Sequence, residues 1–320
     1  MGLRYGVGAD FFRYSSMYVG IQKMGVQAYS WIEKPFRYYD YAMGIIFKDP
    51  AAFHFISSFV ILFFFYKAIK EQSCDCLISI VVFIGLGFFF NAMNLVRQFM
   101  AVSISFYATR YLGKNYIKYV CWIIIASGFH VSCLVLIPIA LIIQKVNSRF
   151  FYSFSLAVSF LFGIFGYQFL CILSKYSLWV KKVTEYTVTE PRISIPNLVI
   201  GVFVFILSYQ YCRSTEQISW KLKYCWLAIM SIVGLAPLGD AATRVAFYFS
   251  TVYIILIPLI IKRTFTADSR FVAKILIIGM CYIFMLYTLV HSTVTGNHYI
   301  PYYSVLNKAA FIDDGTYIFE

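Results

Sequence analysis

The 320-residue chain is 61% hydrophobic and 20% aromatic, with 13% charged residues and a mean hydropathy of +0.75. A soluble domain carries roughly 25% charged residues, so this chain cannot clothe itself in a water-facing surface, and its composition points to an integral membrane protein. The net charge of +13 falls in short clusters between apolar runs, as the positive-inside rule expects. With no zinc-finger, RNA-recognition or basic-helix pattern present, no nucleic-acid partner is expected.

The chain opens on a polar and aromatic segment, residues 1–48. Within it the run from Arg4 to Tyr14 sets Gly6 and Gly8 among Arg4, Asp10 and Arg13. Glycines let the backbone turn freely, and charges of both signs in an aromatic setting suit an anionic or polyhydroxylated ligand. An Arg–Asp pair tying a loop to the bundle accounts for the same residues. Ten hydrophobic segments follow, at about 50–66, 76–92, 95–109, 118–128, 131–144, 150–173, 197–212, 222–237, 245–261 and 275–291. A membrane span needs about 20 mostly apolar residues, so the shorter segments must place polar ends at the interfaces or inside a bundle. The expected fold is all-α: a polytopic transmembrane helical bundle of about ten hydrophobic segments, some short or broken. It is read as a single membrane domain, with an N-terminal segment 1–48, a bundle over 49–292 and a tail 293–320.

Three further polar clusters interrupt the apolar runs. Asn94, Arg97, Gln98, Ala101 and Ser105 share one face if the chain is helical there, and a stripe holding arginine should face a bundle interior or a wet cavity. Ser127-Gly128-Phe129-His130-Val131-Ser132 separates the fourth and fifth segments, which form a hairpin, a broken helix or one long tilted span. An imidazole can act as a base, so His130 is a candidate base, or a structural histidine. Asp240, Arg244 and Tyr248 stand one helical turn apart, after a Pro237–Gly239 turn. The eight cysteines lack zinc spacing, and neither a metal site nor a cofactor is expected.

Orientation follows from the compact loops that hold Lys67, Lys70, Arg110, Lys114, Lys118, Lys145, Arg149, Arg213, Lys221, Lys223, Lys262, Arg263, Arg270 and Lys274. The positive-inside rule places these in the cytoplasm. Residues 1–48, the 175–196 loop and the tail are then extracytoplasmic, and all four polar clusters fall at extracytoplasmic helix ends. Residues 1–48 carry six basic residues (Arg4, Arg13, Lys23, Lys34, Arg37 and Lys48) behind no leading apolar helix. Either the topology is inverted or a first helix lies upstream of Met1, and the second is expected.

The pattern R-x-x-x-G-x-D-x-x-x-Y at Arg4, Gly8, Asp10 and Tyr14 resembles the EpsG family of bacterial polysaccharide-biosynthesis proteins. So do N-x-x-R-Q-x-x-A at Asn94, Arg97, Gln98 and Ala101, H-x-S at His130 and Ser132, and R-x-x-x-Y-F at Arg244, Tyr248 and Phe249. The resemblance implies a multi-pass protein of the bacterial cytoplasmic membrane that polymerises lipid-linked repeat units in exopolysaccharide or capsule synthesis. Its implied partners are an undecaprenyl-diphosphate-linked oligosaccharide, membrane lipid and other polysaccharide-export proteins. His130 and Asp10 are candidate catalytic residues, and Arg4, Asn94, Arg97, Gln98, Arg244 and Tyr248 are candidate substrate-binding residues. A flippase or transporter for the same lipid, a lipid-phosphosugar glycosyltransferase and a structural scaffold are the alternatives.

Overall fold

The computed structural model describes residues 1–175, 194–212, 219–294 and 298–307. Among these the chain is helical, and an isolated antiparallel bridge joins Arg4 to Ser304. Two compact units are present: Met1–Leu134 together with the chain from Ala267, and Val135–Thr266.

In the first unit the helices are α1 (Phe11–Met24), α2 (Lys34–Ile46), α3 (Pro50–Gln72), α4 (Cys76–Gly85), α5 (Phe88–Asn94), α6 (Val96–Ala108) and α7 (Tyr116–Ser127). The second unit contains α8 (Leu136–Lys145), α9 (Arg149–Ser174), α10 (Ile195–Cys212), α11 (Trp220–Gly234), α12 (Asp240–Thr243), α13 (Ala246–Ser250) and α14 (Tyr253–Thr264). The last helix, α15 (Ala267–Val294), belongs to the first unit. Short polar side chains start several of them. Asp49, Asp75, Asn115, Ser148 and Ser219 each accept a backbone N–H from the first turn of α3, α4, α7, α9 and α11, meeting donors that the helix itself cannot satisfy.

Every predicted hydrophobic segment coincides with one or more of these helices, but ten membrane spans do not follow. Among the described residues four stretches are long and apolar enough to cross: Pro50–Gln72, Phe150–Ser174, Ala246–Thr264 and Ala267–Ser292. The bent pair α4–α5, 51° at its break, makes a fifth if it counts as one span. The 23 residues of the first reach about 34 Å at 1.5 Å per residue, enough for a hydrocarbon core of about 30 Å. Helices such as Tyr116–Ser127 and Ile195–Ser208 fall short. Hydrophobicity marks which segments are helical; crossing also needs length, and several runs stop early at a polar turn. On α9, Phe150, Phe154, Leu161, Ile164 and Phe165 are exposed, which fits a helix surrounded by lipid rather than water.

The first unit is organised around α6, which packs on α3 and α7, while α15 packs on α4 and α1 packs on α2 and α3. Residues 1–48 are therefore folded, and their start is stitched to the tail: Tyr5 N–H donates to Tyr303 O at 2.9 Å and Val305 N–H to Leu3 O at 2.9 Å. On α2, Asp40 is fully buried with neither carboxylate oxygen hydrogen-bonded, and burial pushes its carboxyl up to about 7. In the second unit α11 is the central helix, contacting α9, α10 and α13. The Lys223 ammonium on α11 is buried and donates to the carbonyls of Ile143 and Val146 and to Asn147 Oδ1. That arrangement satisfies carbonyls at the C-terminus of α8.

The α4–α15 contact depends on a missing side chain. A Cβ built on Gly85 would overlap the Cys281 side chain and lie 2.9 Å from its Cα, so the two helices meet as small-residue interfaces do in lipid. Gly85→Ala is expected to destabilise the unit by about 1–3 kcal/mol through overpacking. Gly279→Ala on α15, where a Cβ meets nothing within 4 Å, is the matched control and should melt no lower than wild type. Size-exclusion of the detergent-solubilised protein after graded heating measures both.

Candidate functional site

The loop between α1 and α2 ends at Glu33, the residue preceding α2. Its carboxylate does not cap its own helix but reaches two distant parts of the first unit. Oε2 accepts from Arg97 Nη1 at 2.6 Å. Oε1 accepts the Val131 backbone N–H at 3.0 Å and lies 3.1 Å from His130 Nδ1. Burial alone raises this carboxyl, but the His130 contact, backbone N–H groups including that of Val131, and the Arg97 charge outweigh it and bring it down to about 2. An ionised carboxylate can only accept, so His130 Nδ1 carries the proton facing it, and Nε2 of a neutral ring is left as a lone-pair acceptor. A carboxylate fixing a histidine tautomer in this way is a recurring device for presenting a base.

The sequence builds each arm of this cluster locally. Arg97 stands in the first turn of α6, directly after a break at Leu95 (φ −92°, ψ 53°). That break overturns the single polar helical face expected for Asn94, Arg97 and Gln98. Asn94 closes α5 and donates to Tyr299 OH at 2.9 Å, Arg97 turns to Glu33, and Gln98 is buried on α6. The guanidinium of Arg97 also lies over the rings of Trp31 and Phe36, at 5.9 and 5.7 Å. His130 follows α7 through Gly128, where a Cβ would stand 3.2 Å from Pro35 Cβ; that close approach brings the turn against the start of α2.

Arg4 forms a second, deeper network. It is 1% exposed, and its two Nη atoms contact Met1 O (3.0 Å), Met93 O (3.0 Å), Ser58 Oγ (3.4 Å) and His54 Nδ1 (3.3 Å). Burial lowers its pKa to about 10, against the raising influence of Tyr302, Tyr14 and Tyr299, so it stays charged. Gly8 has φ +98°, and a Cβ there would sit 2.6 Å from Asn94 Oδ1, which accounts for glycine at that position. Tyr14 interacts electrostatically with both Arg4 and Arg97 and so stands between the two networks. Asp10 is the residue preceding α1 and does not cap it with its side chain.

In the second unit, Arg244 is exposed in the short connection between α12 and α13, and Tyr248 is buried on α13. The side chain of Asp240 lies outside the described residues. The structure thus joins Arg97 to His130 and links Arg4 to Met93, the neighbour of Asn94. Glu33 was missed from sequence. Its only signal was an acidic residue before Lys34-Pro35 in a strongly basic segment. Among the described residues no group of three His, Cys, Asp or Glu side chains could hold a metal ion.

The model of the EpsG family matches residues 1–304. No curated protein and no solved structure matches the chain.

The pH response of the Glu33 cluster has a definite sign. A carboxyl whose folded value is depressed contributes stability above its ordinary value near 4.5, and that contribution is lost as pH falls toward about 2. The full effect is on the order of 3 kcal/mol. The melting temperature of wild type should therefore drop from about pH 5 to about pH 3 more steeply than that of Glu33→Gln, whose amide does not titrate over that range.

Proposed function

The chain belongs to the EpsG family, an exopolysaccharide-related membrane family, and on that footing we propose that it polymerises saccharide repeat units carried on undecaprenyl diphosphate at the outer face of the cytoplasmic membrane. The observation that carries this reading is the Glu33 carboxylate holding Arg97 and His130 side by side. In the proposed reaction an acceptor hydroxyl attacks the anomeric carbon of the donor saccharide. The new C–O bond forms as the bond to the lipid diphosphate breaks. The hydroxyl proton passes to His130 Nε2, and the electron pair leaves with the diphosphate.

Charge accumulates on that diphosphate, and a cation placed beside it lowers the barrier. Arg97 suits the role because a guanidinium has five N–H donors in a rigid fork. One Nη is committed to Glu33 and the side chain also meets Tyr14, and the remaining donors can meet phosphate oxygens. Glu33 is a positioning residue, acting through the two groups that it orients. The burial of Arg4 and its contacts with carbonyls favour an anchoring role for that residue over contact with substrate. For Asp10, Asn94, Gln98, Arg244 and Tyr248 the reading rests on the family motifs alone. A flippase for the same lipid could use these cations without breaking a bond, but would have no need of a tautomer-fixed histidine.

In cells, His130→Ala and Arg97→Ala are each expected to lower polymer by about 100-fold or more, with normal membrane abundance and single lipid-linked repeat units accumulating on the outer face. Arg97→Lys should also fail, since it keeps the charge but loses the fork. Units trapped on the inner face would instead identify a flippase, and normal polymer from both alanine variants would remove these residues from the chemistry. The placement of the site has its own check in intact cells. With native cysteines replaced, Lys34→Cys should react with an impermeant maleimide and Lys114→Cys should not; the reverse pattern would put the cluster in the cytoplasm.

A further inference from the structure

The loop that delivers Glu33 also displays a tryptophan. Trp31 is 63% exposed, although its neighbour Ile32 is buried. The loop is built to hold it there. Tyr29 adopts a left-handed backbone (φ +53°), a conformation uncommon outside glycine and concentrated at functional positions. Its ring packs where Gly20 lacks a side chain, since a Cβ on Gly20 would lie 2.9 Å from Tyr29 Cε2. Ile32 N–H closes a turn onto Tyr29 O at 2.9 Å, and Arg37 Nη1 ties the loop through Val26 O at 2.5 Å. The Tyr29 ring then supports Trp31 edge-on, at 6.2 Å and 80°.

Two guanidinium groups lie over this indole, Arg13 at 5.7 Å and Arg97 at 5.9 Å. Arg97 has Glu33 as its counter-ion. Arg13 pairs with no carboxylate among the described residues. The surface around Trp31 therefore combines a largely exposed indole with an exposed guanidinium that no carboxylate among the described residues neutralises, two residues from the carboxylate that contacts His130. A tryptophan that serves only as an interfacial anchor needs neither the second arginine nor the strained support.

We infer that Trp31 is a stacking platform for a pyranose ring of the lipid-linked saccharide, with Arg13 as a second contact to its diphosphate. The inference rests on the polymerase reading and adds a binding subsite to it. The axial C–H groups of a pyranose carry partial positive charge and pack on an electron-rich ring face much as cations do. The diphosphate then falls within reach of Arg13 and Arg97, whose planar forks match its oxygens.

The test uses the purified full chain in lipid nanodiscs and two probes. One is the lipid-linked repeat units extracted from producing cells that lack this chain, and the other is undecaprenyl diphosphate without sugar. Trp31→Leu should weaken binding of the repeat units by about tenfold, or 1.4 kcal/mol, and leave undecaprenyl diphosphate unaffected. Trp31→Phe should stay within about threefold of wild type, because an aromatic face remains. Arg13→Gln should weaken both probes. Polymerisation of the extracted units by wild type is scored in parallel. Unchanged binding by Trp31→Leu, or an equal loss in Trp31→Leu and Trp31→Phe, while wild type polymerises, overturns the platform alone. If wild type neither polymerises the units nor prefers them to the bare lipid, the polymerase reading fails and the platform with it.

Discussion

The arrangement of the first unit's polar end depends on one carboxylate. Glu33 joins the start of α2, the first turn of α6 and the turn after α7 through three separate N–H donors. A shielded charge without partners is costly, and removing one partner of a paired group leaves the other uncompensated. The three chain segments are therefore held together by mutual need. The same bonds set the His130 tautomer, because the proton on Nδ1 is dictated by the acceptor facing it. Two acids seven residues apart, one just before α2 and one within it, show how far partners matter. Asp40, buried without hydrogen bonds to its carboxylate, is pushed up to about 7, while Glu33, with its partners, is brought down to about 2.

Arg4 and Arg97 look alike in sequence, each an arginine within a polar motif that precedes or opens a helix, and the structure gives them different surroundings. Arg4 is enclosed and makes contacts with two carbonyls, a hydroxyl and an imidazole, while the backbone on either side of it pairs with the tail. Arg97 keeps 19% of its side chain exposed and commits one nitrogen to Glu33. A guanidinium enclosed among carbonyls, a hydroxyl and an imidazole stabilises a fold; one that meets Glu33 and Tyr14 and stays partly exposed keeps donors in reach of solvent. Burial and partner count separate these roles, and neither can be read from a motif.

What was legible in the sequence follows the range of the interaction. Apolar runs such as 50–66 and 150–173 are local patterns, and helices stand where they predicted. Bilayer crossing depends on uninterrupted length, and breaks such as Leu95 and the turn at Gly128 sit beside polar residues, Asn94 and Ser127, whose partners are distant in sequence or within the local turn. His130 and Arg97 were visible as polar residues in apolar surroundings, because such residues are rare there and seldom idle. Glu33 was not, because its partners lie 64 and 97 positions away and an acid in an exposed-looking basic segment has an ordinary explanation as a solvated charge. Trp31 was likewise one aromatic among many until two arginines were placed over its ring.

The opposite end of the same unit helps decide which ion pairs matter for function. There Glu71 meets Arg110 and Lys67, and Asp75 meets Lys274 at 2.7 Å, tying the ends of α3 and α6 and the starts of α4 and α15. These pairs are a quarter or more exposed, and pairs of that kind contribute roughly 0–1 kcal/mol each. They suit a boundary where charge marks orientation. The Glu33 cluster is more shielded, its side chain 13% exposed. It draws in an imidazole as well as a guanidinium, and it borders an open tryptophan. A pair needed only to staple helices would have no use for an imidazole as a third member or for an aromatic surface beside it. The difference in shielding and composition between the two ends, rather than the mere presence of charge at both, is what directs attention to Glu33, Arg97 and His130.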